Sequence, residues 1–339
     1  MEFREQVPLA PYTTFRIGGP ARWFAEAASE AEILEAVEFA REHGLPLFAL
    51  GGGSNVLAAD AGYPGLVMRV ALKGIVQQGD AFEVGAGEDW DGFVAYAVER
   101  GYAGIECLAG IPGTVGGTPI QNVGAYGQEV AETVAQVRAL HVPTLEFVEF
   151  ANAECGFAYR RSIFNSTERG KYIVTRVRYV LRKDGTPRVA YADLKKYFQD
   201  SAEPSLEEVS AAVREIRRGK GMYIVEGDPD SRSAGSFFKN PVISAEHFAK
   251  IATQEGSEVP HYPAGDSAVK LPAAWLLERA GFHKGYAMGA AGISSRHTLA
   301  LINRGGASAA DIFALRDKIV ATVEERFGVR LEPEPVLIG

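Results

Sequence analysis

Hydrophobic and polar positions alternate along this chain at spacings that define its first elements. After the capping-box sequence Ser29-Glu30-Ala31-Glu32, the apolar residues Ile33, Leu34, Val37 and Ala40 recur on one helical face until Gly44. The spacing predicts a helix over about 30–43. The apolar run 45–50 then reads as a buried strand feeding Gly51-Gly52-Gly53-Ser54-Asn55, which completes a β-α-β unit. Further strands are predicted over 66–70 and 82–84. Asp89 can cap a helix carrying Phe93, Ala97 and Val98, which Gly101 ends. The clearest strand is 172–181, where Ile173, Thr175, Val177, Tyr179 and Leu181 alternate with Val174, Arg176 and Arg178. Beyond Pro187, Ser205-Leu206-Glu207-Glu208 opens a helix with Leu206, Val209, Val213 and Ile216 on one face and Arg217, Arg218 and Lys220 at its end. Helices follow near 245–254, 273–280 and 309–327, the last with Ile312, Leu315, Ile319 and Val323 in register. The pattern is mixed α+β.

At 339 residues, two or three domains are expected. No stretch approaches the apolar length of a membrane span and neither terminus fits a targeting signal, so a cytoplasmic protein without membrane insertion is expected. A net charge of −8 argues against nucleic-acid binding, which depends on excess lysine and arginine. Cys107 and Cys155 have no C-x-x-C or histidine pairing, which predicts reduced, buried thiols. The six histidines show no ligand spacing, so no metal is expected.

Four segments could carry chemistry. Gly51 to Asn55 and the long run 110–127 are rich in glycine, whose missing Cβ lets backbone N–H groups approach a pyrophosphate. Neither is a Walker A loop or a Rossmann fingerprint, and tight turns are the alternative. Arg160, within Tyr159-Arg160-Arg161-Ser162-Ile163-Phe164, can grip a carboxylate with two prongs or simply lie along a surface strand. Ser236, in Ser233-Ala234-Gly235-Ser236-Phe237-Phe238-Lys239-Asn240-Pro241, lacks the context of a hydrolase nucleophile. It stands either in an apolar wall or in a loop anchored by core phenylalanines. Glu334 sits between two prolines that stiffen the chain, which suits a positioned carboxylate and also an exposed tail.

Taken in order, these segments resemble the UDP-N-acetylenolpyruvoylglucosamine reductases. The resemblance runs from Thr14-Phe15-Arg16-Ile17-Gly18-Gly19 through LGGGSNVL (50–57), GIPGTVGGTPIQNVGAYG (110–127), YRRSIF (159–164) and AGSFFKNP (234–241) to LEPE (331–334). Ala190-Tyr191-Ala192-Asp193-Leu194 further resembles the tyrosine-bearing loop of the larger subclass. The resemblance implies an α+β FAD-binding fold of the vanillyl-alcohol-oxidase type in two lobes, over 1–66 and 67–204, and a third α+β substrate-binding domain over 205–327. The segment 328–339 would return to the flavin.

It implies non-covalent FAD, held by Gly51, Gly52, Gly53, Ser54, Asn55, Gly113, Thr114, Gly117, Gln121, Asn122, Gly124, Ala125 and Tyr126. The reaction implied is NADPH-dependent reduction of UDP-N-acetylglucosamine enolpyruvate to UDP-N-acetylmuramate, a step towards peptidoglycan, by a monomer. Arg160 and Glu334 would face the substrate carboxylate, and Ser236 would donate a proton to the α-carbon. Tyr159, Tyr191, Lys220 and Asn240 match substrate-side positions, although the interval from Lys220 to Ser236 is slightly longer than the family pattern. The competing readings are another flavin oxidase or dehydrogenase of the same superfamily and a nucleotide-sugar-binding protein without catalysis.

Overall fold

The computed structural model describes residues 1–199, 203–256, 258–265 and 267–339. The chain gathers into two compact units, the first built from Met1–Val7, Ala21–Gly53 and Tyr63–Gly219, the second from Pro8–Pro20, Ser54–Gly62 and Lys220–Gly339.

The first unit holds two large sheets and two short two-stranded ones. One is four-stranded in the order Arg4–Pro8, Pro20–Ala27, Tyr63–Val70, Leu47–Leu50, and its last three strands are parallel. Helix α1 (Glu30–Glu42) makes the crossover, with Ile33, Ala36, Val37 and Ala40 buried on the face that the periodicity predicts. Its cap differs in one bond from a capping box. Ser29 Oγ accepts from Glu32 N at 3.2 Å, but the Glu32 carboxylate accepts from Ala28 N, one residue before the cap.

The second sheet is five-stranded and antiparallel, in the order Glu146–Ala151, Val134–His141, Tyr172–Val180, Ala81–Gly85, Ile75–Gln78. Tyr172–Val180 is central, and Ile173, Thr175, Val177 and Tyr179 are buried as the alternation predicts. Helix α2 (Trp90–Val98) starts at Asp89, whose carboxylate accepts from Gly92 N at 2.7 Å. Helices α3 (Ala192–Phe198) and α4 (Leu206–Gly219) complete the unit.

Helix α4 packs in this unit because Leu206, Val209, Ala212 and Val213 join its core. The segments 8–20 and 54–62, by contrast, belong to the second unit, where Phe15, Ile17 and Leu57 enter the core. The compact units therefore follow different lines from the division 1–66, 67–204 and 205–327 read from the sequence.

The second unit contains α5 (Ala245–Glu255), α6 (Ala273–Arg279) and α7 (Ala309–Phe327), all within a residue or two of the expected ranges. Leu315, Ile319 and Val323 of α7 face the core. Its N-terminus is closed by Ser308 and Asp311, and the Asp60 carboxylate accepts from Ala309 N at 2.7 Å and Ala310 N at 3.0 Å. Val56–Ala58 pairs in parallel with Val336–Ile338, which ties the 54–62 segment to the C-terminal strand.

Both cysteines are reduced and buried. Burial pushes the Cys155 thiol up to about 12 and raises Cys107 further still, so neither supplies a thiolate at neutral pH. Among the described residues, no helix is long and apolar enough to cross a membrane, and no group of histidine, cysteine, aspartate or glutamate is placed to hold a metal ion.

The two large sheets of the first unit are tied by Glu30, the first residue of α1. Its carboxylate accepts from Arg138 Nε at 2.8 Å, Arg138 Nη2 at 3.1 Å and Thr175 Oγ1 at 2.8 Å. Burial alone raises the Glu30 pKa, but these donors and the Arg138 charge outweigh it and hold the carboxyl below its ordinary value. A depressed folded-state pKa contributes stability above the unfolded-state value, and this is lost as pH falls through the folded-state value. Glu30→Gln is expected to cost about 1 kcal/mol at neutral pH, with the gap to the parent closing below about pH 4. Urea midpoints measured across that range check this, and a gap independent of pH contradicts it.

Candidate active site

In the first unit the two glycine-rich segments, sixty residues apart in sequence, lie backbone to backbone. A Cβ placed on Gly52 would stand 2.6 Å from Gly113 Cα, and one on Gly51 would stand 2.8 Å from Thr114 Oγ1. Only glycine permits this approach. A turn at Val115–Gly117 follows, and a Cβ on Gly117 would meet no protein atom within 4 Å. Close-packed, side-chain-free backbone with an open flank fits the pyrophosphate of a dinucleotide.

The rest of the 110–127 run is shaped by two non-glycine residues with left-handed backbone, Asn122 (φ 45°) and Tyr126 (φ 48°). Gly124–Ala125 and Gln128–Glu129 form a tight hairpin whose tip is Tyr126-Gly127. The Asn122 side chain serves this shape. It donates to Glu129 Oε2 at 2.8 Å and Ala158 O at 3.1 Å and accepts from Ala131 N at 3.1 Å. Gln121 is half-buried beside it.

Arg160 sits at the tip of a turn closed by paired hydrogen bonds between Ala158 and Arg161, and its own φ is 54°. Two neighbours in the motif explain this placement. Ser162 is fully buried and donates to Ile120 O at 2.6 Å, while Phe164 enters the core. The turn is thereby riveted to the glycine-rich segment, and Arg160 Nη1 reaches Gly124 O at 3.0 Å. Tyr159 is exposed, with the Arg160 guanidinium 5.6 Å from its ring centre. Tyr191, at the start of α3, packs edge-on against Tyr126 with ring centres 5.4 Å apart.

Arg217 lies in the last turn of α4, as the sequence predicts, and the structure adds that it is buried, with its Nε donating to Gly110 O at 2.9 Å. Burial lowers its pKa, Tyr126 and Asp91 oppose that, and the nearby Arg160 adds to it. Gly110 is held from its other side by Asp91, which accepts from Gly110 N at 2.7 Å and receives a forked contact from Arg214. The signal was available: 217 falls four residues after Val213 on the apolar face.

In the second unit, an isolated backbone bridge brings the segments that carry Ser236 and Glu334 side by side. Phe238 bridges Pro333, Glu334 N donates to Phe237 O at 2.8 Å, and Lys239 N donates to Glu332 O at 3.0 Å. Phe237 and Phe238 are both fully buried, so the loop-anchored reading of this segment describes its framework and leaves Ser236 half-buried between them and Gly235. Asn55 supports the same place, with Nδ2 3.3 Å from Glu334 O and its own carbonyl accepting from Val336 N. Thr14 Oγ1 donates to Ser233 O at 2.5 Å and Phe15 packs edge-on to Phe237, which explains the Thr-Phe-Arg segment as a buttress for this loop. Asn240 gives its side-chain oxygen to Ala273 N at the start of α6, and Lys220 is half-buried just after α4.

Comparison with known proteins identifies the family. Residues 21–146 match the model of an FAD binding domain, and residues 228–338 match that of the UDP-N-acetylenolpyruvoylglucosamine reductase C-terminal domain. The chain is 46% identical to UDP-N-acetylenolpyruvoylglucosamine reductase of Streptomyces coelicolor, covering 98% of this chain and 89% of the relative. It is also 46% identical to the Thermobifida fusca protein of that name, with 99% and 98% covered. The crystal structure of the Thermus caldophilus reductase superposes over the full length of both chains, with a TM-score of 0.70 at 29% identity. With the FAD-binding fold of the vanillyl-alcohol-oxidase type in place, the chain belongs to the UDP-N-acetylenolpyruvoylglucosamine reductase family.

Proposed function

We propose that this protein reduces UDP-N-acetylglucosamine enolpyruvate to UDP-N-acetylmuramate with NADPH, through non-covalently bound FAD. The backbone pairing that sets Ser236 beside Glu334 carries this reading, since it gathers a hydroxyl and a carboxyl on one rigid frame. When bound, FAD supplies hydride transfer from NADPH to the β-carbon of the enolpyruvyl group. The glycine segments Gly51–Gly53 and 113–117 would hold its pyrophosphate. The assignment of 1–66 and 67–204 to the cofactor and 205–327 to the substrate belongs to the same proposal, with α4 counted to the first unit.

The chain's residues then have separate tasks. As hydride arrives at the β-carbon, negative charge spreads over the α-carbon and carboxylate. Arg160 offers that charge a fixed cation, because Ser162, Phe164 and the contact with Gly124 restrict its turn. Glu334 has to carry or share a proton when it faces the substrate carboxylate, since two like charges repel. Ser236 passes its hydroxyl proton to the basic α-carbon, a task that depends on placement because serine is a weak acid in water. Tyr159, Tyr191, Lys220 and Asn240 would meet the nucleotide part of the substrate or the NADPH phosphates.

Three outcomes are expected. Acid precipitation releases all yellow colour into the supernatant, and flavin left in the pellet contradicts non-covalent binding. Arg160→Lys keeps the charge but loses the planar fork, so kcat falls by about tenfold or more while substrate affinity changes less. Steady-state kinetics check this, and an unchanged kcat moves Arg160 to a framework role.

Ser236→Ala separates the half-reactions in stopped-flow. Flavin reduction by NADPH proceeds near the parent rate, while reoxidation by the enolpyruvyl substrate slows by about 10²–10⁴-fold. Ser236→Cys restores part of the loss, because a thiol is the stronger acid. Equal slowing of both halves refutes the proton-donor role.

A further inference from the structure

The segment that carries Ser236 is gripped at both ends by one loop of the second unit, residues 294–299. At one end, Leu299 O accepts from Phe237 N at 2.7 Å. At the other, six residues before Ser236, the buried Asp230 carboxylate accepts from Ser295 N at 3.0 Å, Ser295 Oγ at 2.6 Å and Arg296 Nε at 2.9 Å. Arg296 is also paired with Asp228.

The gripping loop is itself fixed. Ser294 is fully buried, its Oγ accepts from Arg296 N at 3.1 Å and His297 N at 3.3 Å, and its N–H donates to Ala300 O. Leu299 N is held by His297 Nδ1 at 3.0 Å. Between the grips the segment contains Gly235 in left-handed conformation (φ 71°), directly before Ser236. Asn303 N donates to Arg232 O at 3.0 Å and Thr14 Oγ1 to Ser233 O, so the clamp at Asp230 acts together with these bonds on a stretch that a glycine lets turn just before the hydroxyl.

We propose that Asp230 is a positioning residue for proton donation: by clamping residue 230 to the 294–299 loop, it fixes the Ser236 hydroxyl where the α-carbon receives its proton. The inference rests on the reading of Ser236 as the proton donor. Burial opposes ionisation of Asp230, but the bonds from Ser295 and Arg296 outweigh it and hold its pKa below the ordinary value. Misplacing a reacting group by about 1 Å can cost on the order of 10²-fold in rate.

The test uses the holoenzyme with Asp230→Asn, and with Ser295→Ala as the milder variant that removes a single hydrogen bond. Each is also combined with Ser236→Ala. Asp230→Asn is expected to slow flavin reoxidation by the enolpyruvyl substrate by about tenfold, leave reduction by NADPH near the parent rate, and speed amide hydrogen exchange within 231–237. Ser295→Ala should shift the same quantities in the same direction by less. On the Ser236→Ala background neither change should slow reoxidation further, because the group being positioned is gone. Equal slowing of both half-reactions, or a full extra loss on that background, overturns the proposal. If Ser236→Ala alone leaves reoxidation unchanged, the proton-donor reading has failed. If it slows reoxidation and the two clamp variants do not, the clamp alone has failed.

Discussion

Backbone pairing between residues 237–239 and 332–334 is the constraint on which the chemistry of the second unit depends. Main-chain hydrogen bonds restrict a residue's backbone directly, and Glu334 N bonded to Phe237 O brings the backbones that carry Glu334 and Ser236 together. Everything around the bridge reinforces it: Phe237 and Phe238 fill the core, Asn55 binds the Glu334 carbonyl, Thr14 binds the Ser233 carbonyl, and Val336–Ile338 continues as a strand against Val56–Ala58.

The first unit reaches a related result by different means. There the decisive feature is close approach of backbone to backbone, which glycine at 51 and 52 permits and any side chain would prevent. The surrounding side chains are mostly employed in holding that backbone still. Asn122 closes a turn through three hydrogen bonds, Ser162 pins the Arg160 turn to Ile120, and Asp91 with Arg217 holds both polar groups of Gly110. Charge in this framework is matched by hydrogen bonds: the fully buried Glu106 side chain accepts from Gly104 N, Gln128 Nε2 and Arg188 N, and the half-buried Glu30 carboxylate from Arg138 and Thr175.

Much of the framework was legible in advance. Helices α1, α2, α4 and α7 declare themselves by apolar residues at three- and four-residue spacing, and the first three also by caps at Ser29, Asp89 and Ser205. Tyr172–Val180 declares itself by alternation. These signals are local, so they survive without knowledge of the fold. The site segments were legible as a set, since each is ambiguous alone and specific only in order with the others. The burial of Arg217 is harder to read, because a cation at a helix end looks solvent-facing until its partner is known.

By itself the sequence determined the secondary structure, the two glycine-rich segments, the mixed α+β class and the residue types available for chemistry, because those follow from periodicity and from the steric freedom of particular residues. Only the tertiary structure decided the interleaving that sends 8–20 and 54–62 into the second unit and keeps α4 in the first. It alone brought Gly52 against Gly113, Phe238 against Pro333 and Asp230 against Ser295 and Arg296. Those contacts join residues roughly sixty to a hundred positions apart, and the energy that selects them comes from burial of whole faces and from pairing of buried polar groups. No local pattern encodes such partners, which is why the placement of the reactive groups became visible only in the folded chain.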